Sequence, residues 1–325
     1  QKMRVQEVLA LFGLAAVWGA SFLFIRIASP VLGPFLTIQG RVTIAALVLL
    51  LYMVAFKHSL QWNVYWKKYL IIGVLNAAIP FTLIATAAMY LDASMSAILN
   101  SLTPVFTVLI VWGWMNEKVS VRKLGGIFLG IIGVGILVGW SQVVYTQEVI
   151  MAVVLSILST VSYGFAGVYA KTAFRGVPSL TLATGQQMGA SILLLPFTLL
   201  NLPQSMDRVT LVVVISVMGL AIFCTAIAYL LYFFLIDRVG PTKTLHVTLL
   251  IPVFGVMWAV MFLGEVITIG TLLGMLVILA SVAVISEMRV RFLPWFQPGK
   301  TTKTKTIVSS RCPKEAPSKP FKDAH

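Results

Sequence analysis

Long apolar runs constrain this chain more than any other feature. A helix needs about 20 apolar residues to cross the roughly 30 Å hydrocarbon layer of a bilayer. Ten runs of about that length follow one another, at 8–28, 34–56, 69–90, 93–115, 122–140, 148–171, 180–200, 210–236, 241–263 and 268–288. With 59% hydrophobic and only 10% charged residues among 325, the composition excludes a water-soluble domain of this length. The expectation is an all-α integral membrane protein of ten transmembrane helices. Pro34, Pro178, Pro203 and Pro241 fall in linkers or first turns, where proline is tolerated, whereas Pro80, Pro104 and Pro252 fall inside runs and should kink their helices and free a carbonyl.

A net charge of +14 raises nucleic acid as a partner, but Lys and Arg sit in short loops and a tail between apolar runs, so the partner they imply is membrane lipid. Their distribution predicts topology. Lys57, Lys67, Lys68, Lys118, Arg122, Lys123, Lys171, Arg175, Arg238 and Lys243 share one side with both termini, and Arg208 stands on the other, with Arg26 and Arg41 buried nearer it. Both termini are then cytoplasmic. The first run follows Lys2 and Arg4 as the apolar part of a signal peptide would, yet its length and the runs after it make it a retained helix. Residues 289–325, rich in Lys, Arg and Pro, read as a basic disordered cytoplasmic tail lying on anionic lipid. Cys224 in mid-run and Cys312 in the tail cannot pair, and neither suggests a metal site or a cofactor.

The chain also resembles itself. "WGASFLFIR" (18–26) aligns with "YGFAGVYAK" (163–171), and Gly40–Arg41 with Gly185–Gln186, at an offset of 145; "PVFTVLIVWGWMNE" (104–117) aligns with "PVFGVMWAVMFLGE" (252–265), and Gly126 with Gly274, at an offset of 148. This predicts a duplication, 1–145 as a first five-helix repeat and 146–288 as a second. Five crossings are odd, so the second repeat is inverted, with Glu117 and its counterpart Glu265 on opposite faces. Two inverted-topology repeats around a central cavity are a common architecture of secondary transporters, with substrate near the midplane and access alternating between sides.

The early "WGASF", the "GRVTIAAL" of the second run, "LTPVFTVLI…NEKVSVRKLGGIFLGIIGVGIL" and its echo "LIPVFGVMW…GEVITIGTLLGMLVILASVAVI" resemble the EamA family of the drug/metabolite transporter superfamily over residues 8–288. The resemblance implies a multi-pass carrier of the bacterial inner membrane, often an exporter of amino acids, metabolites or toxic compounds.

Arg41, seven residues into its run, is the first candidate contact: it either snorkels or meets a freed carbonyl, or it faces the cavity and holds an anionic group such as a substrate carboxylate. Gln186 is its counterpart, so the charge exists in one repeat only. Gln39 flanks Arg41; Asn76, Asn100 and His246 are further polar groups inside runs, and His246 suits either a proton switch or an interfacial site. Trp18 and Tyr163 are counterparts, each followed by a glycine that permits close helix approach. Gly126, Gly130, Gly270 and Gly274 form small-xxx-small pairs that serve either a homodimer seam or packing within one chain, with a monomer the simpler expectation.

No Asp or Glu falls well inside a run, which argues against a carboxylate-coupled antiporter. The reading is a secondary-active or facilitative carrier of small organic solutes, amino acids or related metabolites, in the export direction. Its alternative is proton- or exchange-coupled uptake of a nucleotide-like metabolite. A channel or a membrane-embedded enzyme fits less well, since His58, His246 and His325 form no catalytic cluster with acidic residues.

Overall fold

The computed structural model describes residues 4–115, 119–140, 146–203, 205, 207–244 and 246–286. The tail 289–325 and the acidic residues Glu117 and Glu287 lie outside these. Every regular element among the described residues is helical. Six stretches are long and apolar enough to cross a membrane: Val5–Ala55, Trp62–Ala87, Ala93–Trp114, Val121–Gly139, Gln147–Ala173 and Leu211–Val239; Val247–Leu263 and Ile269–Ile285 are shorter apolar helices.

The first two apolar runs are two helical arms that meet at a kink with no loop between them. Helix α1 (Val5–Ala55) consists of these two arms, broken at Gly33, whose φ of 76° and ψ of 160° belong to a region other residues avoid, between Pro30 and Pro34. The fold thus turns a corner without a loop. The next run is α2 (Trp62–Gly73), a wider π turn (Val74–Ala78) and α3 (Ile79–Ala87). Pro80 follows that π turn and lacks the N–H that a regular helix would return to the Asn76 carbonyl. The loosened backbone is used: the Leu75 carbonyl accepts from the Ser162 hydroxyl at 2.6 Å. The fourth run splits into α4 (Ala93–Asn100) and α5 (Thr103–Met115), with Pro104 in the first turn of the second piece.

Helix α6 (Val121–Gly139) begins on Ser120, α7 (Gln147–Ala173) on Thr146; each hydroxyl accepts the N–H three residues on and satisfies one orphan donor. Helix α8 (Ser179–Leu200) follows, and then α9 (Leu211–Ala221) runs through a π turn (Ile222–Ile227) into α10 (Ala228–Val239). The short α11 (Pro241–Thr244), α12 (Val247–Trp258), a third π turn (Ala259–Leu263) and α13 (Ile269–Ile285) complete the order. The π turns at 74–78 and 222–227 begin at the same separation as Pro104 and Pro252.

Packing is by pairs distant in sequence: α1 against α9 and α12, α2 against α8, α7 against α3 and α5, α6 against α13. The last pair is a glycine seam. A Cβ on Gly133 would stand 2.6 Å from Ile278, one on Gly274 2.7 Å from the Leu137 backbone and one on Gly270 2.4 Å from Trp140, while the Ser281 hydroxyl donates to the Gly126 carbonyl at 2.7 Å. These glycines therefore serve contact between α6 and α13 of one chain.

One end of the bundle is fastened by charged side chains. Arg26 of α1 donates to the carbonyls of Ala88 (2.8 Å) and Met89 (3.4 Å), where α3 ends. The Glu265 carboxylate accepts from the N–H groups of Ala93 (2.7 Å) and Ser94 (3.1 Å) and from the Ser94 hydroxyl, and so caps α4. Between the two, Asp92 has its pKa raised by partial desolvation and by the Glu265 carboxylate, against the pull of Arg26.

Candidate functional site

A cavity of about 540 Å³ lies among the helices. Its lining starts at Ile25, Arg41 and Ile84 and reaches Ala170, Ser179, Ile236 and Val247, where α7 passes into α8 and α10 into α11 and α12; the end fastened by Arg26 and Glu265 contributes nothing to it. It is therefore approached from one end of the bundle.

Arg41 comes from the second arm of α1, which the Gly33 corner sends back through the molecule. It is 5% exposed and does not snorkel. Its guanidinium carbon stands 3.6 Å over the Phe81 ring, and its Nε donates to the Thr225 hydroxyl at 3.0 Å. Thr225 sits in the π turn of α9–α10, and its own hydroxyl proton goes to the Leu220 carbonyl at 2.9 Å. The terminal N–H groups of Arg41 have no further hydrogen bond among the described residues. No Asp or Glu is among the described residues that line the cavity. A delocalised cation thus presents a fork of donors to a space with no counter-charge.

Gln186 meets Asn76 across the two chain halves: its Oε1 accepts from Asn76 Nδ2 at 2.8 Å, and its Nε2 donates to the Tyr229 hydroxyl. Asn76 belongs to the π turn before Pro80, which swings its amide toward α8. Gly185 and Gly189 allow that approach, since a Cβ on either would fall 2.2–2.3 Å from Tyr69 of α2. Tyr163 packs edge-on to Phe81 at 6.3 Å, and Trp18 lies 5.5 Å from Tyr232. Asn100 ends α4, and its Oδ1 is enclosed with no hydrogen-bond partner.

Six of the eight candidates therefore share one cavity: Trp18, Arg41, Asn76, Asn100, Tyr163 and Gln186. The other two stand elsewhere. Gln39 belongs to a polar cluster between α1 and α8, donating to the Thr43 hydroxyl (2.7 Å) and to the Ser191 carbonyl and hydroxyl (3.2 Å each). His246 is exposed at the start of α12, with Nδ1 2.7 Å from the Lys243 carbonyl, a surface position rather than a site inside the bundle. Sequence reasoning did not single out Phe81, Cys224 and Thr225. Cys224 is the residue matching Asn76 at the repeat offset, so the self-alignment carried that signal.

The EamA-like transporter family matches residues 6–139 and 150–287. An uncharacterized transporter of Bacillus subtilis is 25% identical over 287 residues, 88% of this chain and 93% of that protein. A probable amino-acid metabolite efflux pump of Salmonella typhimurium is 24% identical over 279 residues, covering 82% and 90%. Protein PecM of Dickeya dadantii is 23% identical over 279 residues, covering 85% and 91%. A solved crystal structure superposes with a TM-score of 0.60 at 19% identity, over 87% of this chain and 96% of its own, and so shares the fold. With its apolar helices and the family match over most of its length, this chain belongs to the EamA-like transporter family and is a multi-pass membrane transporter.

Proposed function

We propose that the chain carries small organic solutes bearing a carboxylate, amino acids or related metabolites, by alternating access, in the export direction across a cytoplasmic membrane with both termini inside. The observation that carries this reading is Arg41: a buried cation with unspent N–H donors in a cavity with no acid among the described residues of its lining. The Salmonella relative named as an amino-acid metabolite efflux pump supports the solute class.

Ten spans in two inverted five-helix repeats, 1–145 and 146–288, are supported by the pattern of packing. In repeat numbering, span one packs on nine as six packs on four, three on seven as eight on two, and five on ten. Each of the first two pairings exchanges with its partner when the repeats are swapped; the third maps onto itself. That is the relation inverted repeats require. A monomer suffices, because the α6–α13 glycine seam is satisfied within the chain.

The test is uptake by liposomes holding the purified protein, screened with labelled amino acids and carboxylated metabolites, with and without a pH gradient. Saturable transport that Arg41→Gln weakens at least tenfold in KM sustains the reading. Non-saturating flux would indicate a channel, and an unchanged KM in a folded variant would remove Arg41 from the site.

A further inference from the structure

We infer that the cavity selects organic anions that carry an apolar body and no ammonium, in preference to zwitterionic amino acids and to cations. The inference rests on the carrier reading and narrows its solute: of the carboxylated metabolites, it takes those without the amine. Arg41 is the one charged residue among the described lining, so the space holds a positive charge with nothing to balance it. A monoanion brings the missing charge and leaves the pair neutral. A zwitterion brings an ammonium as well, which a poorly solvated site must then satisfy.

The hydrogen-bonding groups on the wall have the same bias. Asn76 Nδ2 donates to Gln186 Oε1, which turns Gln186 Nε2 toward the Tyr229 oxygen. That oxygen is thus supplied with a donor, and the Tyr229 proton has no acceptor among the described residues. Tyr229 and Tyr163 are both close enough to Arg41 to feel its charge. The donors of Trp18 Nε1, Tyr163, Tyr232 and Asn100 Nδ2 also lack an acceptor among the described residues, and none is enclosed, so each keeps open surface on a residue that lines the cavity.

An ammonium finds little to match this. The carbonyls at the end of α4 are spent: that of Ile98 accepts from the N–H and hydroxyl of Ser101, that of Leu99 from the Leu102 N–H, and that of Asn100 from the Thr103 hydroxyl. The Ser21 and Thr107 hydroxyls donate within their own helices, to the carbonyls of Trp18 (2.6 Å) and Thr103 (2.8 Å). The acceptors left are neutral, the Asn76 amide oxygen and hydroxyl oxygens. At the end that the lining reaches, exposed Lys171, Arg175 and Arg238 outnumber Asp237, so the approach carries the same sign as the interior. Trp18, Phe22, Phe81, Tyr232 and Phe233 give the wall its apolar face, and about 540 Å³ lies in the range of roughly 300–1,000 Å³ usual for small-molecule sites.

The test is calorimetric binding to the full chain in detergent, with three probes that share one ring and differ in charge: 3-phenylpropanoate, L-phenylalanine and 2-phenylethylammonium. The expected result is that 3-phenylpropanoate binds about tenfold or more tighter than L-phenylalanine, with 2-phenylethylammonium weakest. Arg41→Gln should weaken the acid more than the amino acid and so erase most of that preference. Should Arg41→Gln fail to fold, Thr107→Asp, which neutralises the cavity with Arg41 in place, must shrink the preference likewise. L-phenylalanine bound as tightly as the acid or tighter, a preference unchanged in a folded variant, or no binding of any probe overturns the inference. Saturable liposome uptake of L-phenylalanine in preference to 3-phenylpropanoate would also overturn it and leave the carrier reading standing. Anion preference in binding with no liposome uptake of 3-phenylpropanoate would instead overturn the carrier reading and leave the preference standing.

Discussion

A guanidinium in a membrane helix costs about 2.5–3.5 kcal/mol on insertion scales. Stacking over Phe81 returns roughly 0.5–2 kcal/mol, and a hydrogen bond from a charged donor such as that to Thr225 about 1.5–3 kcal/mol, so protein contacts offset much of the cost. The offset uses the planar face and one edge and leaves the fork free. Arg41→Lys keeps the charge but loses both the stacking plane and the fork; the expected outcome is a rise in KM of the same order as for Arg41→Gln, read in the uptake assay. Gln186→Leu is expected to lower the unfolding temperature in detergent, because Asn76 Nδ2 and the Tyr229 hydroxyl both lose their partner, at about 1–3 kcal/mol for a buried group left unmatched. Arg41 and Gln186 were legible as a pair from the repeat. Their partners were not: Thr225 is 184 residues from Arg41, and no local pattern announces a contact at that distance. Gln39 and His246 lie off the cavity, and a polar residue inside an apolar run does not reveal which way it faces; Gln39 turns to Thr43 and Ser191, and His246 to the surface.

Among the elements, the α6–α13 seam depends most on small residues. Gly274→Leu forces side-chain atoms toward the Leu137 backbone, which cannot yield, whereas Gly135 has open space around the same position. Overpacking of this kind costs typically 1–3 kcal/mol, so thermal unfolding should show a clear loss for Gly274→Leu and little change for Gly135→Ala. The seam's glycines were visible in the sequence as small-xxx-small pairs, but not whether they joined two chains or two helices of one. Prolines at 80, 104 and 252 were also visible, and Pro104 does mark a break. The π turn at Ile222–Ile227 was not, for it has no proline; it is sustained by tertiary contact, through Thr225 between Leu220 and Arg41.

For the whole molecule, the cavity reaches one end of the bundle and stops short of the other. With Cys224→Ala and Cys312→Ser as background, a cysteine introduced by Thr107→Cys, on the cavity wall, should react with a membrane-impermeant thiol reagent added on the side of the α7–α8 junction. Labelling from the opposite side alone would contradict access from the end that the lining reaches. The far end is held by Arg26 of α1, bonded to the carbonyls at the end of α3, and by Glu265, a residue of the second half that caps a helix of the first. If the two repeats rock as proposed, the Glu265 bonds, which join one half to the other, must part once in every cycle, and each 1.4 kcal/mol they add to the opening barrier slows it about tenfold. Under the proposed alternating access Glu265 would act as a timer: Glu265→Gln should alter kcat while leaving KM for entry from the cavity side nearly unchanged, which would put the pace of the cycle well away from the cavity lining.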